Sequence, residues 1–447
     1  MSTRIPDNGR RPGPEGRGAQ RRDSDVPQVI ESQALGWSTI RLVLLSALVM
    51  FIDGYDLTVV SYVGPYFPPA FHLDTILLGN VFVSGVVGIL LGSLTFGHAA
   101  DRIGRRSCLL FATVCFGVLT LAQAAARNYE QLMVLRFANG VALGGAVPLM
   151  WAHSTEFVPK QFRATIVTLI MLGYGLGAGL SGPLSVALLP RFGWTSVFWA
   201  GGALGLLAAL LLYFALPESP RFLALRRQHP QRVHSYSIGP LFKGELRKIT
   251  PLLWIAYIAS SMSTYYLTLW GPRVYEGLGY ARSSAAWLMS MSSVAAAIGA
   301  VTLMRFTDRV GVISVAVFPG LAVPLLIIAG YAHIGQMGLA LLVALFNVFL
   351  GGSHYGVTST VGTFYPTAYR ATGTGWAASM AKLGSIAGPW IGAHVLSSTL
   401  PLQRTFAVMA ICPAVLSVCY CAISLAQRDA MRRTGDSLAL PGWPSRL

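Results

Sequence analysis

Residues 97–106 read Gly-His-Ala-Ala-Asp-Arg-Ile-Gly-Arg-Arg, and residues 308–311 read Asp-Arg-Val-Gly. Each stretch follows a long apolar segment, and their Asp-Arg pairs are 207 residues apart. A second match has the same offset, because the Phe, Pro, Arg, Ala and Thr residues of 157–165 recur in 364–372. A shared offset at two places indicates an internal repeat, and a repeat constrains the architecture more strongly than any single motif.

The apolar residues around these motifs form blocks long enough to cross a membrane. Of 447 residues, 54% are hydrophobic and 11% are charged, whereas a soluble domain carries about 25% charged residues. A membrane helix needs about 20 mostly apolar residues. The sequence predicts twelve such spans, at 40–67, 76–99, 107–126, 131–156, 164–189, 194–216, 250–273, 284–306, 312–332, 335–361, 370–398 and 404–426.

The repeat divides these spans into two sets of six. An even number of spans per repeat gives both halves the same orientation in the membrane. We therefore predict an all-α membrane protein with an N-terminal half at 39–216, a central loop at 217–249 and a C-terminal half at 250–426. Residues 1–38, rich in Arg, Gly, Pro and Asp, are expected to be a disordered tail. Residues 427–447 form the second tail.

The net charge of +16 is distributed unevenly across the predicted membrane. The face that holds both termini has 26 Lys and Arg residues, and the opposite face has five. This asymmetry follows the positive-inside rule and predicts cytoplasmic termini. The basic excess therefore reflects topology and argues against nucleic-acid binding. The five cysteines lack metal-ligand spacing and are interpreted as small apolar fillers, so no metal site is expected.

Several motifs resemble those of the major facilitator superfamily. Residues 97–106 look like its signature loop, Leu135-Arg136 with Gly140 and Gly144 resembles its fourth-helix motif, and 217–221 resembles the end of its helix 6. The resemblance implies twelve helices in two parallel six-helix repeats that rock around a central site. It also implies a transporter without an enzyme activity or a cofactor.

A narrower resemblance lies in predicted helix 1. Asp53-Gly54-Tyr55-Asp56 is similar to the motif of the aromatic acid–proton symporters, bacterial carriers of benzoate- and 4-hydroxybenzoate-like acids. The resemblance covers about residues 40–426. It implies import of an aromatic carboxylate together with protons, across a bacterial inner membrane, by a chain that functions as a monomer.

The two aspartates of helix 1 are the predicted proton-coupling residues. An ionisable group inside a span is costly, so it is a functional candidate by default. Asp53 and Asp56, at i and i+3, are expected to lie about 5–6 Å apart on one helix face. Two such carboxylates cannot both ionise cheaply, so one should hold a proton near neutral pH. Gly54 between them is expected to loosen the helix. The alternatives are a structural pair satisfied by neighbouring helices, or a helix 1 that begins later with Asp53 near water.

Two basic residues also lie within predicted spans. Arg136 in helix 4 and Lys382 in helix 11 could neutralise an organic anion. In the family resemblance both positions are basic, and Lys382 stands where Arg is usual, so it offers a point charge without the planar fork of Arg. The alternatives for Arg136 are a role in proton coupling or relay, and a structural ion pair within the first half, including one with the helix 1 aspartates.

Aromatic residues and histidine complete the candidate site. Tyr62, Tyr265 and Tyr266 could contact a planar ring, although most membrane aromatics are anchors or packing residues. His354 could bridge proton and substrate or be a packed, hydrogen-bonded histidine, and His153 allows the same two interpretations. The predicted substrate-binding residues are Lys382, Arg136, His354, Tyr355, Trp376 and Trp270.

The signature loops are predicted to gate the cytoplasmic side, because ion pairs between loop ends form when that side closes and break when it opens. The second copy is eroded, with Met304 in the place of Gly97 and Val312 in the place of Arg105. The alternative is that these charges only set topology. The predicted gating residues are Asp101, Arg102, Arg105, Arg106, Glu156, Asp308 and Arg309.

Three rival functions remain open. A proton-coupled exporter of drugs or metabolites shares the scaffold, but two basic groups facing a cavity favour anionic cargo. A transporter-like chemoreceptor for aromatic acids would bind without accumulating its ligand. An intramembrane enzyme is the weakest rival, since no Ser/His/Asp or metal-ligand set emerges. Glycines at 173, 175, 177 and 179 resemble a nucleotide-binding loop but are interpreted as helix-packing positions.

Overall fold

The protein is described by a computed structural model over residues 36–66, 71, 74–158, 163–218, 238–244, 246–332, 334–365 and 370–434. Long helices account for almost all of these residues. They are α1 (Trp37–Val63), α2 (Thr75–Ile103), α3 (Arg105–Ala124), α4 (Tyr129–Glu156), α5 (Arg163–Phe192), α6 (Thr195–Ala215), α7 (Leu246–Gly277), α8 (Arg282–Val310), α9 (Ser314–Tyr331), α10 (Gln336–Phe364), α11 (Arg370–Ser397) and α12, whose two segments are Arg404–Met409 and Ile411–Thr434. Short 3-10 helices occupy Gly64–Tyr66 and Gly239–Phe242.

Within the described ranges, ten of these helices are long and apolar enough to cross a membrane. The other two are α7 and α11, which are long enough at 32 and 28 residues but less apolar. The twelve-helix prediction is therefore confirmed, with shifted ends. Helix α7 begins at Leu246 rather than at 250, and α12 continues to Thr434 rather than ending at 426. Residues 1–35 of the tail predicted at 1–38, and most of the central loop, lie outside the described residues, and α1 begins within the predicted tail at Trp37.

The two halves have the same internal packing. In the first half, α2 packs on α4, α1 on α5 and α3 on α6. In the second half, the corresponding pairs are α8 with α10, α7 with α11 and α9 with α12. Each helix of the first half thus has its counterpart six helices later, which confirms the two repeats. Contact between the halves runs through α2–α11, α5–α8 and α1–α7.

Close approach of α1 and α5 explains Gly54. A Cβ atom there would lie 2.2 Å from the carbonyl oxygen of Tyr174, so only glycine permits this helix crossing. Helix α1 continues without a break through Gly54, so this glycine does not interrupt the helix. Gly177 packs equally closely on Phe51, whereas a Cβ at Gly175 would meet no atom within 4 Å. The glycine run of α5 therefore serves packing at alternate positions only.

The halves seal one end of the bundle. We call the end with the α1–α2 connection the loop side, and the end with both termini the termini side. Among the described residues, one apolar cluster contains residues of both halves, and it lies on the loop side; its fully buried members include Val63, Val81, Trp270 and Ala322. The other clusters each lie within one half. The space between the halves is therefore closed towards the loop side.

Candidate functional site

A cavity of about 260 Å³ lies between the two halves. Helices α1, α4 and α5 form one wall, and α7, α8, α10 and α11 form the other. The lining is mixed, with apolar side chains between polar ones. The polar lining residues are Asp53, Thr58, Tyr62, Tyr174, Thr264, Tyr265, Thr268, Tyr275, Ser292, Ser293, Asn347, His354, Tyr355 and Lys382.

One acidic and one basic side chain face each other across this cavity. Among the residues that line it, Asp53 is the sole carboxylate and Lys382 the sole Lys or Arg. They come from opposite halves, and Lys382 lies within electrostatic range of Asp53. Asp53 and Lys382 can therefore neutralise each other's charge within the cavity. Close helix crossings hold both residues in place, since Gly54 on α1 packs on α5 and Gly384 on α11 packs on α7.

Asp56 has different partners. Its carboxylate accepts a hydrogen bond of 3.0 Å from Arg136 Nη1 and one of 3.1 Å from Asn139 Nδ2. Arg136 Nη2 also donates to the backbone oxygen of Asp56 at 3.1 Å. Both charged residues are buried, with 3% and 4% of their surfaces exposed. Gly85 on α2 leaves room for the guanidinium, because a Cβ there would lie 3.2 Å from Arg136 Nε.

Asp53 and Asp56 lie within electrostatic range of each other, as expected, but their carboxyls have different basic neighbours. The structure directs Asp53 to the cavity and Asp56 to α4, so each carboxyl has its own basic neighbour. Arg136 does not line the cavity. Arg136 thus forms the buried ion pair with helix 1 and has no place in the lining of the cavity, while its role in proton coupling stays a prediction.

His354 and Tyr355 line the cavity as expected. The imidazole Nδ1 of His354 is 3.0 Å from the hydroxyl of Ser260 on α7, and Lys382 lies within electrostatic range of the ring. Tyr355 and Tyr265 form part of the same wall, facing Tyr174 of the first half. The cavity thus combines a cation, a carboxyl, an imidazole and several phenol rings.

The two tryptophans expected at the site lie elsewhere. Trp270 is fully buried, donates its Nε1 hydrogen to the oxygen of Pro389 at 2.9 Å, and packs against Phe82. It belongs to the apolar seal on the loop side. Trp376 is 39% exposed and stacks on Trp254, with their ring centroids 6.2 Å apart. Neither side chain lines the cavity. The prediction failed for both because composition alone does not tell which way an aromatic side chain faces.

This architecture has a counterpart among known families. The family model described as Major Facilitator Superfamily matches residues 46–389 and 253–437. The chain belongs to the Major Facilitator Superfamily. It is thus a multi-pass membrane transporter and not an enzyme.

Individual relatives narrow the comparison for this major facilitator. The chain is 32% identical to the 4-hydroxybenzoate transporter PcaK of Pseudomonas aeruginosa, over 88% of this chain and 94% of the relative. It is 31% identical to the gallate transporter of Pseudomonas putida, over 86% and 92% of the two chains. Among solved structures, a D-xylose-proton symporter aligns with a TM-score of 0.68 at 19% identity, over 85% of this chain and 97% of the other, which supports the fold alone.

The signature loop of this major facilitator makes contacts within its own half. Arg106 Nη2 donates to the oxygen of Tyr213 at 2.7 Å, and the backbone N–H of Arg106 donates to the Glu218 carboxylate at 3.2 Å. Arg105 lies within electrostatic range of His153, and Arg102 and Arg309 are exposed. The side chains of Asp101, Glu156 and Asp308 lie outside the described residues, so the predicted gate stays a prediction.

The loop side also carries polar contacts that no sequence motif predicts. Arg273 Nη2 of α7 donates to Thr75 Oγ1 of α2 at 3.1 Å, which joins the two halves. The Arg282 guanidinium lies 4.7 Å from the ring centroid of Tyr66 and 3.7 Å from the Glu276 carboxylate. In the sequence these arginines were only two of the five basic residues on the sparsely charged face, and no motif marked them.

Proposed function

We propose that this transporter imports an aromatic carboxylic acid of the benzoate or hydroxybenzoate class together with protons, by alternating access. The observation that carries the proposal is the placement of Asp53 and Lys382 in one cavity, from opposite halves of the bundle. An acid and a base that face each other between two moving halves can exchange partners as cargo and protons arrive. The names of the relatives, which include transporters for 4-hydroxybenzoate, gallate and benzoate, support the choice of cargo.

Charge balance couples the two cargoes. In the empty cavity the Asp53 carboxylate neutralises the Lys382 ammonium group. An incoming carboxylate competes for Lys382, and two carboxylates beside one cation leave a net negative charge, which is costly in a poorly solvated site. A proton on Asp53 removes that cost. The loaded and empty sites are then both neutral, and both can be exposed to either side of the membrane.

The neighbouring residues support these two groups. Tyr174, Tyr265 and Tyr355 offer rings against which a planar substrate can pack, and ring pairs of this kind favour offset or edge-to-face contact. The buried pair of Asp56 and Arg136 fixes α1 against α4 one helical turn from Asp53. It holds the proton-carrying carboxyl in position and offers a relay partner.

Orientation follows from the charge asymmetry. The positive-inside rule places the termini side in the cytoplasm of a bacterial inner-membrane protein. The sealed loop side is then the periplasmic side, which supports an inward-facing arrangement, and the chain is proposed to function as a monomer. The contacts of Arg273 and Arg282 form the periplasmic gate, and the signature-loop residues from Asp101 to Arg106, with Glu156, Asp308 and Arg309, form the cytoplasmic gate.

Uptake by purified protein in liposomes tests this function. We expect 4-hydroxybenzoate and benzoate to accumulate when the outside is more acidic, because each pH unit supports about tenfold accumulation per proton carried. Collapse of the gradient with a protonophore should abolish accumulation. Transport of cationic drugs without transport of any carboxylate would identify an exporter instead, and binding without uptake would identify a receptor.

Removal of Lys382 should weaken acid binding. In Lys382→Ala we expect the concentration for half-maximal uptake to rise about tenfold or more, since hydrogen bonds to charged groups contribute about 1.5–3 kcal/mol. Lys382→Arg keeps the charge and should remain near the wild type. Lys248→Ala, which removes an exposed lysine at the start of α7, is the matched control. An unchanged half-saturation concentration in Lys382→Ala would exclude Lys382 from the site.

A further inference from the structure

Tyr62 stands between the central cavity and a second, smaller pocket. This loop-side pocket has a volume of about 60 Å³ and lies among the loop-side ends of α1, α5, α7 and α8. Its lining includes Tyr66, Glu276 and Arg282. Among the described residues, Tyr62 alone lines both the loop-side pocket and the central cavity. The Tyr62 side chain therefore forms the boundary between the two spaces.

The ring of Tyr62 is fixed within the apolar seal. Tyr62 is 6% exposed and belongs to the apolar cluster of the loop side. It follows Asp53 by nine residues on α1, which places it about 13 Å further along the helix axis. From the second half, Tyr275 lies within electrostatic range of Tyr62 and also lines the cavity. The Tyr62 ring thus caps the loop-side end of the cavity that holds Asp53.

The hydroxyl of Tyr62 reaches the point where α5 and α8 cross. Gly182 of α5 permits this crossing, because a Cβ there would lie 2.4 Å from Ser290 Oγ and 2.6 Å from the oxygen of Ala286, both on α8. The same Cβ would lie 3.1 Å from the Tyr62 hydroxyl oxygen. That hydroxyl is within hydrogen-bonding range of Ser181 on α5 and of Ser290. Tyr62 therefore has one serine neighbour in its own half and one in the opposite half.

Both serines present acceptors to Tyr62. Ser181 and Ser290 each donate to a backbone oxygen of their own helix, at 2.6 Å and 3.1 Å. Thr58 Oγ1 lies 2.8 Å from Ser181 Oγ and uses one of its two lone pairs, which leaves the other for Tyr62. A phenol has a single hydrogen to donate. The Tyr62 hydroxyl can therefore bond fully to one of the two serines at a time.

We infer that Tyr62 is the inner gate residue of the loop side, with a ring that closes the cavity and a hydroxyl that changes partner when the gate opens. Opening the loop side separates α5 from α8, so the bond to Ser290 has to break. Ser181 moves with Tyr62, because α5 packs on α1 within the first half. The inference rests on the alternating access of the proposed function and is independent of the choice of cargo.

The change of partner keeps both states of the gate accessible. A buried hydroxyl without a partner would add the cost of an unmatched polar group to every opening. With Ser181 beside it, the Tyr62 hydroxyl has an acceptor whether or not Ser290 is in reach. Two discrete arrangements of one contact are the kind of bistable element on which a conformational switch depends.

Thiol labelling tests the role of the ring. Ser292 lines the cavity and not the loop-side pocket, so Ser292→Cys reports access to the cavity. A small, membrane-impermeant methanethiosulfonate is added to the loop side of oriented membrane vesicles, and the same chain without Ser292→Cys gives the background of the five native cysteines. We expect Tyr62→Ala to accelerate labelling more than Tyr62→Phe does, because only the first removes the ring.

A double-mutant cycle tests the role of the hydroxyl. In Tyr62→Phe we expect labelling from the loop side to rise about two- to tenfold, the effect of one hydrogen bond on the balance of two states. Labelling from the termini side should not rise. Ser290→Ala should give the same increase, and the double variant should add nothing to it, because one bond is lost only once. Ser284→Ala, an exposed α8 serine that lines neither space, is the matched control.

Each outcome decides the inference. Unchanged labelling in Tyr62→Ala overturns the gate. An equal rise from both sides in Tyr62→Phe, or additive effects in the double variant, overturns the change of partner. If Tyr62→Ala does not fold, Tyr62→Phe and Ser290→Ala decide between the same results. Labelling needs no cargo, so its failure leaves uptake of aromatic acids intact, and wild-type protein that takes up no aromatic acid would refute the proposed cargo alone.

Discussion

Asp53→Asn abolishes accumulation of the acid against its gradient, because an amide cannot take up and release the proton that the cycle requires. We expect the internal concentration in liposomes with an imposed pH gradient to stop at the external concentration. Exchange of labelled for unlabelled acid across the membrane needs no net proton movement, so it should survive. The measurement is gradient-driven uptake and exchange on the same preparation of protein.

Asp74→Asn is the matched control for this substitution. Asp74 accepts a hydrogen bond from the Leu77 N–H at 2.7 Å and caps α2, outside the cavity. Asparagine caps helices as well as aspartate does, so this variant should transport normally. Normal uphill uptake by Asp53→Asn would show that the coupling proton is carried by another group and would refute the role proposed here for Asp53.

Arg136→Gln destabilises the whole protein, because it leaves the Asp56 carboxylate buried without its cation. Breaking a buried ion pair by removing one partner typically costs about 3–5 kcal/mol. We expect a large fall in the melting temperature of the detergent-solubilised protein, measured by the loss of monodisperse material on heating. Transport should fall with it, since the same pair holds α1 in position beside Asp53.

The double variant Asp56→Asn/Arg136→Gln separates charge from packing. It removes both charges and retains a group to which Asn139 can still donate. We expect it to recover much of the stability lost in Arg136→Gln. A double variant that is as unstable as the single one would show that the pair contributes through shape rather than through charge.

The architecture could be predicted from the sequence because the bilayer limits the choices. Each span must satisfy its own backbone hydrogen bonds, so a long apolar block has to be a helix. The common offset of residues 97–106 and 308–311 then placed six helices in each half. The ends were less predictable: α7 and α12 extend beyond their apolar blocks, because a helix can continue past the hydrocarbon into water.

The site was only partly predictable. Asp53, His354, Tyr355 and Lys382 were found because a polar side chain in an apolar span is conspicuous. The different directions of the Asp53 and Asp56 side chains were not predicted. Residues at i and i+3 differ by about 60° around the helix axis, which is enough for them to face different neighbours. Asn347 gave no signal, because an amide between apolar residues says nothing about which helix face lines a cavity.

The low apolar content of α7 and α11 has a consequence for biogenesis. Both helices are less hydrophobic than the other spans. The face of α7 that lines the cavity carries threonine and tyrosine, and the corresponding face of α11 carries Lys382. Each is therefore a poor substrate for the translocon on its own. They pack against each other, yet α7 leaves the ribosome more than a hundred residues before α11. Helix α7 is therefore synthesised before its packing partner α11. The polar residues that line the cavity thus make this half of the protein depend on assembly after insertion.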